Sequence, residues 1–484
     1  HPIRMTRTTM SISELSQPGE LQLTAELQGF APFGKRMRAV GLPEVVIRTF
    51  SHYYAQLVEG RTGLLPERDI VPVDSVPDAD AFPARLAVVG QEALHHAVML
   101  KLNGGLGTGM GLDRAKSLLV IKDGMTFLEI IARQARHAGV PLVLMNSFNT
   151  REESLATVQP LLEQGQGIPL DFVQHRVPKI AKNDLSPVKW PKEPELEWCP
   201  PGHGDLYTAL VTSGMLDTLL KNQIRYAFVS NADNLGAVIE PAILGYLVEN
   251  GMPFLMEVAD RTLSDRKGGH LAKRPDGQLM LRESAQCPDE DIDFFQDIER
   301  HRYFNTNNLW IDLLAFRDLM AERGDILGLP MICNAKTVDP RDRTSPAVYQ
   351  LETAMGAAIA VFPGAGAVRV SRQRFAPVKT TDDLLAVRSD AYVLREDWRV
   401  VPNPVRANKP PIVSLDPNYY RMIDELERRF PHGAPSLVDC QRLEVRGDVR
   451  FGRNIRFVGS VCLANTATSP MLVEDNAVLE GHTP

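Results

Sequence analysis

The chain has 484 residues, of which 44% are hydrophobic and 23% are charged, and its formal net charge is −7. A chain of this length is too long for one simple hydrophobic core, so two or three domains are expected. The acidic balance and the lack of a basic block argue against nucleic acid or an anionic membrane surface as the main partner.

The lengths of the apolar runs and the spacing of the cysteines indicate the cellular compartment of the protein. No stretch approaches the roughly 18 apolar residues of a membrane span, and the N-terminus has no apolar signal-peptide core. The cysteines are scattered and form no C-x-x-C pair, which is typical of reduced thiols and gives no zinc site. We therefore expect a soluble, cytoplasmic protein without membrane partners. The cysteines are Cys199, Cys287, Cys333, Cys440 and Cys462.

Helices are predicted first along the chain, and strands follow. Residues 1–90 are interpreted as a mixed, mostly helical N-terminal region. From about residue 95 the apolar runs "HAVML" and "SLLVI" predict short strands. Thr126 and Glu129 have the spacing of a capping box, and Gly139 is a typical C-terminal stop, so a helix is predicted between them.

Further strands are predicted in "PLVLMNS", "YAFVSNAD" and "PFLMEV", each short, apolar and ended by polar residues. In the last of these, Met256 is interpreted as strand core and Glu257 as strand rim. Strands that alternate with helices favour a mixed, mostly parallel sheet covered on both faces. We expect an α/β domain of this Rossmann-like kind at 91–400.

The end of the chain has a different period. After the proline-rich linker 401–411, apolar residues recur every six positions, which is typical of a parallel β-helix at 412–484. The alternative is an antiparallel meander with accidental spacing. A stacked coil has an open end that would allow homo-oligomer formation. The two series are Leu443, Val449, Ile455, Val461 and Val445, Phe451, Phe457, Leu463, with Leu472 and Val478 resuming the spacing after "ANTATSP".

The segment "KLNGGLGTGMGLDRAKS" places five glycines in the eight positions from Gly104 to Gly111. It is not a dinucleotide fingerprint, since Met110 and Leu112 occupy the third-glycine positions, and not a P-loop, since Met110 stands where lysine is required. A glycine-rich turn after a strand can still aim N–H groups at a phosphate or a base, with Lys116 as a point charge. The alternative is a tight structural turn with a solvated lysine.

Seven segments, in this order, resemble motifs of the eukaryotic-type UTP–glucose-1-phosphate uridylyltransferases, also called UDP-glucose pyrophosphorylases. The resemblance covers about 95–390. Serine is frequent in the family at Gly109, and proline at Ala115 and Ala335, but none of these differences removes a charged group. The segments are the glycine-rich loop, "MNSFNT", "PPGHGDLYTAL", "SNADNLG", "FNTNNLW", "QLETAMGAAI" and "RFAPVKTTDDLL".

The resemblance implies a nucleotidyltransferase type A fold with a left-handed C-terminal β-helix. The implied reaction converts UTP and α-D-glucose 1-phosphate into UDP-glucose and diphosphate, with Mg²⁺ as cofactor. Asp233 follows an apolar strand, where one carboxylate, phosphate oxygens and waters suffice for Mg²⁺. The alternative for Asp233 is a cap on the next turn.

The resemblance also implies roles for individual residues. Lys116 and Lys379 would be catalytic, with Lys379 bridging the reacting phosphates; alone, it would be interpreted as a solvated lysine before a threonine-capped helix. Nucleotide contacts are implied for Leu102, Asn103, Gly104, Gly105, Lys116, Gln174, Gly202 and Asp233. Sugar contacts are implied for His203, Asn231, Glu257 and Asn307.

The segment "GHGD" is also interpretable from its residues. We expect Gly202 and Gly204 to let the backbone approach a ligand, and Asp205 to cap the following helix. A lone histidine such as His203 is otherwise more often structural. An asparagine cluster such as that around Asn307 could otherwise be a turn.

Three other functions remain open. Pyrophosphorylases of UDP-N-acetylglucosamine or of several UDP-sugars usually carry a loop closer to L-A-G-G-Q-G-T-R. Sugar-nucleotide glycosyltransferases commonly carry D-x-D, whereas this chain has Asn231, Ala232 and Asp233. A non-catalytic binder is disfavoured because Lys116, Asp233 and Lys379 are all present.

Overall fold

The computed structural model describes residues 29–162, 167–407 and 409–481. Residues 1–28 of the predicted N-terminal region lie outside this range. The helices in the described residues are α1 Ala31–Ala39, α2 Glu44–Val58, α3 Ala84–Ala93, α4 Phe127–Ala138, α5 Arg151–Val158, α6 Asp205–Thr212, α7 Met215–Lys221, α8 Pro241–Glu249, α9 Ile292–Gln296, α10 Leu313–Glu322, α11 Thr381–Arg388, α12 Pro417–Tyr420 and α13 Ile423–Arg429.

The strands alternate with these helices over most of the described chain. They are β1 Val71–Pro72, β2 Ala97–Asn103, β3 Val120–Lys122, β4 Met125–Thr126, β5 Leu142–Asn146, β6 Asp171–Val173, β7 Val177–Pro178, β8 Ile180–Ala181, β9 Trp198–Cys199, β10 Tyr226–Asn231, β11 Phe254–Asp260, β12 His270–Lys273, β13 Leu279–Arg282, β14 Tyr303–Asp312, β15 Met331–Thr337, β16 Ala347–Thr353, β17 Gly366–Arg369, β18 Tyr392–Leu394, β19 Val400–Pro402, β20 Ile412–Leu415, β21 Cys440–Arg446, β22 Val449–Phe451, β23 Arg456–Ala464, β24 Met471–Val473 and β25 Val478–Glu480.

Contacts divide the chain into two compact units, each built from three segments. The chain passes from unit 1 to unit 2 inside β2, and again near the end of β10. Of the described residues, unit 1 comprises 29–100, 167–229 and 240–370, and unit 2 comprises 101–162, 230–239 and 371–481 apart from residue 408.

The sheet of unit 1 is mixed. β14 runs antiparallel to β10, β11 and β12, while β11 and β17 are parallel. Four strands therefore share one direction, and β14 is reversed among them. The apolar residues Val98–Leu100 of β2 and Ala227–Val229 of β10 are wholly buried, as expected for strands covered on both faces. The predicted mixed α/β class is confirmed.

Local signals set the ends of the first helix of unit 2. The Thr126 side chain accepts a hydrogen bond from the Glu129 N–H, and the Glu129 carboxylate accepts one from the Thr126 N–H. α4 ends at Ala138, and its C-cap is Gly139, whose φ of 69° lies in the left-handed region. The predicted capping box and C-terminal stop are both confirmed.

The C-terminal strands form small parallel sheets, one in the order β20-β21-β23-β25 and one of β22 and β24. Parallel pairing excludes the antiparallel meander. The residues of the two six-residue series between 443 and 463 are all buried. Leu472 and Val478 are 69% and 55% exposed, so the prediction that they continue these series is wrong.

The register explains this error. Leu443 pairs with Val461, 18 positions later, which is three repeats of six. Phe451 pairs with Val473, 22 positions later, so the later coil contains four additional residues. Leu472 consequently pairs with Arg450, on the outward-facing side.

Candidate functional site

The glycine-rich loop of unit 2 leaves β2 and folds back on itself. Leu106 forms an isolated β-bridge with Ala115, and the Lys116 N–H donates to the Gly105 carbonyl at 3.4 Å. This closure holds Lys116 beside the start of the loop. The sequence therefore forms a short, closed loop at the carboxyl end of a buried strand.

Not all of the loop glycines are explained by the loop itself. Gly111 has a φ of +79°, and a Cβ at Gly107 would lie 2.4 Å from Leu112 Cδ1. In contrast, a Cβ at Gly105 or Gly109 would meet no atom within 4 Å. The loop thus has two glycines that its own conformation needs and two that face open space, where another molecule can approach the backbone.

Leu102 and Asn103, the predicted nucleotide-binding residues before the loop, already use some of their polar groups in hydrogen bonds within the protein. The Asn103 side chain is buried and donates to Asn146 Oδ1 at 2.7 Å and Ser154 Oγ at 2.8 Å. Ser117 Oγ donates to Asn103 Oδ1. The Leu102 carbonyl accepts the Ala232 N–H at 3.1 Å. The Asn103 amide therefore fastens β2 internally, and a ligand contact from this residue would have to come from its backbone.

Lys116 and Asp233 lie together, although 117 positions separate them in the sequence. Lys116 Nζ donates to Asp233 Oδ2 at 2.7 Å, and the side chains are 17% and 20% exposed. Asp233 Oδ1 is buried and has no hydrogen-bond partner among the described residues. The alternative that Asp233 caps the following turn is therefore wrong.

Oδ1 of Asp233, which has no hydrogen-bond partner among the described residues, is suited to be the one protein ligand of a Mg²⁺ ion. No group of three or more His, Cys, Asp or Glu that could hold a metal occurs in the described part of the chain. A single carboxylate is nevertheless enough for Mg²⁺, because this ion keeps several waters and takes phosphate oxygens of a substrate. The donor set therefore fits a substrate-completed magnesium site.

Lys379 is brought to the same part of unit 2 by backbone pairing. The Val378 N–H donates to the Asp233 carbonyl at 3.2 Å, and Pro377 forms a β-bridge with Asn234. Lys379 is exposed one position later, and Thr380 caps α11 through a capping box, as predicted. The half-buried Asn231 ends β10 on the same segment as Asp233.

The glycines of "GHGD" in unit 1 make room for Thr353. The Gly204 N–H donates to the Thr353 carbonyl at 2.8 Å, and the Thr353 N–H donates to the Pro201 carbonyl at 3.0 Å. A Cβ at Gly202 would lie 2.4 Å from the Thr353 carbonyl oxygen, and one at Gly204 2.2 Å from Thr353 Oγ1. The close approach expected for a ligand is here an approach of the chain to itself.

His203 is held as a neutral hydrogen-bond donor. Its Nδ1 accepts the Met355 N–H at 2.9 Å, so the ring proton lies on Nε2. Burial lowers the pKa of His203 to about 4. The imidazole therefore stays uncharged at neutral pH and presents one N–H.

Asp205 does not cap α6, contrary to the prediction. The N-cap is Gly204, and no side chain caps it. The Asp205 carboxylate instead accepts the His175 backbone N–H at 2.6 Å and the His175 Nδ1–H at 2.9 Å. These bonds fasten Gln174, the neighbour of His175, to the start of α6.

Glu257 is buried, so its interpretation as strand rim is wrong. Its Oε1 accepts the Trp310 Nε1–H at 2.9 Å and its Oε2 accepts the Asn308 Nδ2–H at 3.0 Å. Two buried donors on β14 stabilise the charge that a purely apolar strand would exclude.

Asn307 lies in a bulge of β14 and not in a turn between elements. Glu257 pairs with Asn308 and Val258 with Asn305, so two residues of β14 are left out of the ladder with β11. Asn307 has a φ of +59° and its Oδ1 accepts from Asn305 Nδ2 at 2.8 Å. The bulge re-aims this side chain out of the ladder, as bulges at functional sites often do.

The segment from Thr353 to Gly356 joins these parts of unit 1, and sequence reasoning assigned it no role. Tyr207 Oη donates to the Met355 carbonyl at 2.7 Å. A Cβ at Gly356 would lie 2.6 Å from Asn305 Nδ2. The signal in the sequence is the glycine among small residues in "TAMGAA", where close backbone approach is typical.

No helix in the described ranges has both the length and the apolar character that crossing a membrane would require.

Comparisons with known proteins identify relatives over most of the chain. A sequence model of the family described as UDPGP, UTP–glucose-1-phosphate uridylyltransferase, matches residues 47–457. The curated UTP–glucose-1-phosphate uridylyltransferases of Hordeum vulgare and Solanum tuberosum are each 39% identical to this chain. The matches cover 91% and 85% of this chain, and 91% and 84% of those proteins.

Solved structures of the same kind of enzyme are also similar to this chain. A mutant of the UDP-glucose pyrophosphorylase of Leishmania major in complex with UDP-glucose is 45% identical, with a TM-score of 0.87, covering 95% of this chain and all of that one. A Trypanosoma brucei structure named UDP-glucose phosphorylase is 44% identical, with a TM-score of 0.81, covering 94% of this chain and 99% of that one. The shared architecture is a mixed α/β fold with a central, mostly parallel sheet flanked by helices.

Proposed function

The chain belongs to the UTP–glucose-1-phosphate uridylyltransferase family, and from this premise we propose that it converts UTP and α-D-glucose 1-phosphate into UDP-glucose and diphosphate. The observation that carries the proposal is the Lys116–Asp233 pair at the closed glycine loop, with one bare carboxylate oxygen. The pair combines a cation and a metal ligand for a polyphosphate, where the strands β2 and β10 end.

Charge neutralisation and positioning are the chemical task. A phosphate oxygen of the sugar phosphate attacks the α-phosphorus of UTP in line, and the bond from this phosphorus to diphosphate breaks. The second phosphate pKa is about 6, so the nucleophile is already mostly a dianion and needs no general base. The barrier is the approach of a dianion to a triphosphate, which favours preorganised cations.

The residues of unit 2 would meet this task. Lys116 donates to phosphate oxygens, and Lys379 bridges the two reacting phosphates. Asp233 Oδ1 would hold Mg²⁺, which supplies neutralisation of triphosphate charge when bound. Leu102–Gly105 would contact the uridine, with Gly105 offering open backbone.

The residues of unit 1 would recognise the uracil and the sugar. Gln174 and Gly202 would contact the uracil. His203 would donate its Nε2–H to an oxygen of the sugar nucleotide, which its neutral form permits without adding charge. Asn307, and Asn231 of unit 2, would hydrogen-bond the glucose hydroxyls. Glu257 is buried with both oxygens bonded to Asn308 and Trp310, so the sugar contact implied for it by the resemblance is not retained.

We further propose domains at 1–90, 91–400 and 412–484, the last a left-handed β-helix. The spacings of 18 and 22 residues between paired strands support coils of three six-residue sides, the longer with an insertion. The exposed Leu472 and Val478 on its later coil would suit homo-oligomer contact. Five free thiols support a cytoplasmic location.

Diphosphate release tests the proposed function. Purified protein is given UTP, Mg²⁺ and either glucose 1-phosphate or its galactose and N-acetylglucosamine counterparts. We expect release mainly with glucose 1-phosphate, and a drop of about 100-fold in Lys379→Ala. Lys409→Ala, a change at another exposed lysine, is the matched control and should keep full activity.

Each other outcome has a defined meaning. Release with every sugar phosphate would assign the chain to broad-specificity pyrophosphorylases. No release with any of them would contradict uridylyl transfer and leave a nucleotide binder or a glycosyltransferase. An active Lys379→Ala variant would contradict the bridging role alone.

A further inference from the structure

A wholly buried lysine lies beneath the segment that carries Asp233. Lys101 is in β2, and its side chain is 0% exposed. Its Nζ donates to Ser230 Oγ at 2.6 Å and to the Ala237 carbonyl at 2.9 Å. Burial of an ammonium costs several kcal/mol unless hydrogen bonds compensate it, and an apolar residue of similar shape would avoid this cost. We therefore expect the lysine to have a specific role here.

The two acceptors lie at opposite ends of one short segment. Ser230 is in β10, and Ala237 follows the turn that contains Asp233. One ammonium therefore spans the base of the segment 230–237. Gln134 adds a further tie, since its Nε2–H donates to the Leu235 carbonyl at 3.0 Å.

The Asp233 carboxylate depends on this backbone for its position. Lys116 is its hydrogen-bond donor within the described residues, and Oδ1 has none. A carboxylate with so few side-chain restraints is placed mainly by the main chain that carries it. The middle of the segment is held by the Val378 N–H and the Leu102 carbonyl, and its ends are held by Lys101, so these ties together fix where Asp233 can hold a ligand.

We propose that Lys101 is a positioning residue, which acts through Ser230 and Ala237 to hold Asp233 in the geometry that binds a divalent cation. This inference rests on the proposed function for the identity of the cation. In this role Lys101 would act without touching the cation or the substrate itself. Its role is that of an outer partner, whose loss typically weakens metal affinity by about 10- to 100-fold.

Lys101→Met in the full chain is the direct test, because it keeps the length of the side chain and removes its donors. Mn²⁺ is titrated into protein with UTP but without sugar phosphate, and free Mn²⁺ is measured by electron paramagnetic resonance, so no turnover is needed. We expect Mn²⁺ binding about tenfold weaker and kcat about tenfold lower, with the KM for glucose 1-phosphate nearly unchanged.

Lys122→Met is the matched control. Lys122 is also in unit 2, and its Nζ donates to the backbone carbonyls of Val387 and Ser389, which lie outside the Asp233 segment. Mn²⁺ binding should be unchanged in this variant. If Lys101→Met does not fold, Ser230→Ala removes one of the two acceptors and should weaken Mn²⁺ binding in the same direction by a smaller factor.

Unchanged Mn²⁺ binding in folded Lys101→Met, or in Ser230→Ala if the first variant does not fold, would overturn the proposal. Equal losses in Lys101→Met and Lys122→Met would also overturn it, because they would indicate a general structural effect. Failure of the proposed function is distinguishable: the wild-type protein would then give no diphosphate with any sugar phosphate, while the Mn²⁺ comparison would still decide the role of Lys101.

Discussion

Lowering the pH from 7.5 to 5.5 should destabilise the protein through two buried imidazoles, His270 and His301. Their ring centroids are 3.8 Å apart, and neither side chain is exposed to solvent. Burial is the main cause that lowers the pKa of both, and that of His270 lies well below its usual value. For His301, Glu67 opposes this shift through a hydrogen bond and its charge.

The sign follows from proton binding. Unfolded histidines have a pKa of about 6.5, so below this pH the unfolded chain binds protons that the folded His270 does not. The contribution of the neutral His270 to the free energy of unfolding is therefore fully present above pH 6.5 and is lost as the pH falls below this value. At pH 5.5, one unit lower, each imidazole that stays neutral in the folded state costs about 1.4 kcal/mol.

His270→Phe isolates one of these costs. The new ring would stack on His301 and pack near Phe295, whose centroid is 4.9 Å from that of His270. Urea unfolding at pH 7.5 and 5.5 should show that the variant loses about 1.4 kcal/mol less stability than the wild type between the two pH values. Losses from His52 and His203, whose pKa values are lowered by burial to about 4, occur in both proteins and cancel.

His95→Gln at an exposed position is the control and should leave the pH dependence unchanged. An equal pH-dependent loss in wild type and His270→Phe would refute the reasoning. It would mean that the folded protein takes up the proton at His270 despite its burial. A histidine NMR titration of the wild type would then show the His270 resonance moving above pH 5.5.

Three further outcomes are expected. Asp205→Asn should raise the KM for UTP about tenfold at little change in kcat, because the charged acceptor that fastens His175 beside Gln174 is lost; initial rates measure this, and an unchanged KM would count against it. Glu257→Gln should lower the free energy of unfolding by about 2 to 3 kcal/mol, since the amide keeps one acceptor oxygen and its N–H₂ would face one of the two buried donors, Trp310 or Asn308; an unaltered urea midpoint would contradict it. Chelation by EDTA should stop diphosphate release, and added Mg²⁺ should restore it, whereas persistent release would exclude a metal requirement.

Features that depend on neighbouring residues were predictable from the sequence. The capping box of Thr126 and Glu129 and that of Thr380 and Asp383 involve partners three positions apart. The six-residue period likewise repeats along the chain, so it predicts burial until an insertion shifts the phase. Such signals require no knowledge of how distant segments meet.

Features that depend on distant partners were not predictable in this way. Asp205 has the position of a helix cap, but its carboxylate bonds to His175, 30 positions earlier. Glu257 interrupts an apolar strand, so the sequence alone indicates a residue at the rim of the sheet. Its burial depends on a hydrogen bond from Trp310, which lies 53 positions later in the chain. Likewise, the sequence cannot tell whether a glycine makes room for a ligand or, like Gly204, for the chain's own Thr353.

The bulge in β14 separates the pairing of this strand with β11 from the presentation of the Asn307 side chain. The ladder residues on either side of Thr306 and Asn307 keep their pairing with β11. Thr306 is still tied to that strand, because its hydroxyl donates to the Glu257 carbonyl at 2.7 Å, whereas Asn307 has no ladder partner there. We therefore expect substitutions at Asn307, but not at Thr306, to leave the register of the sheet undisturbed. The sugar contact proposed for Asn307 would thus lie at a position that can change without altering the sheet, and laboratory selection for new sugar phosphates would best begin there.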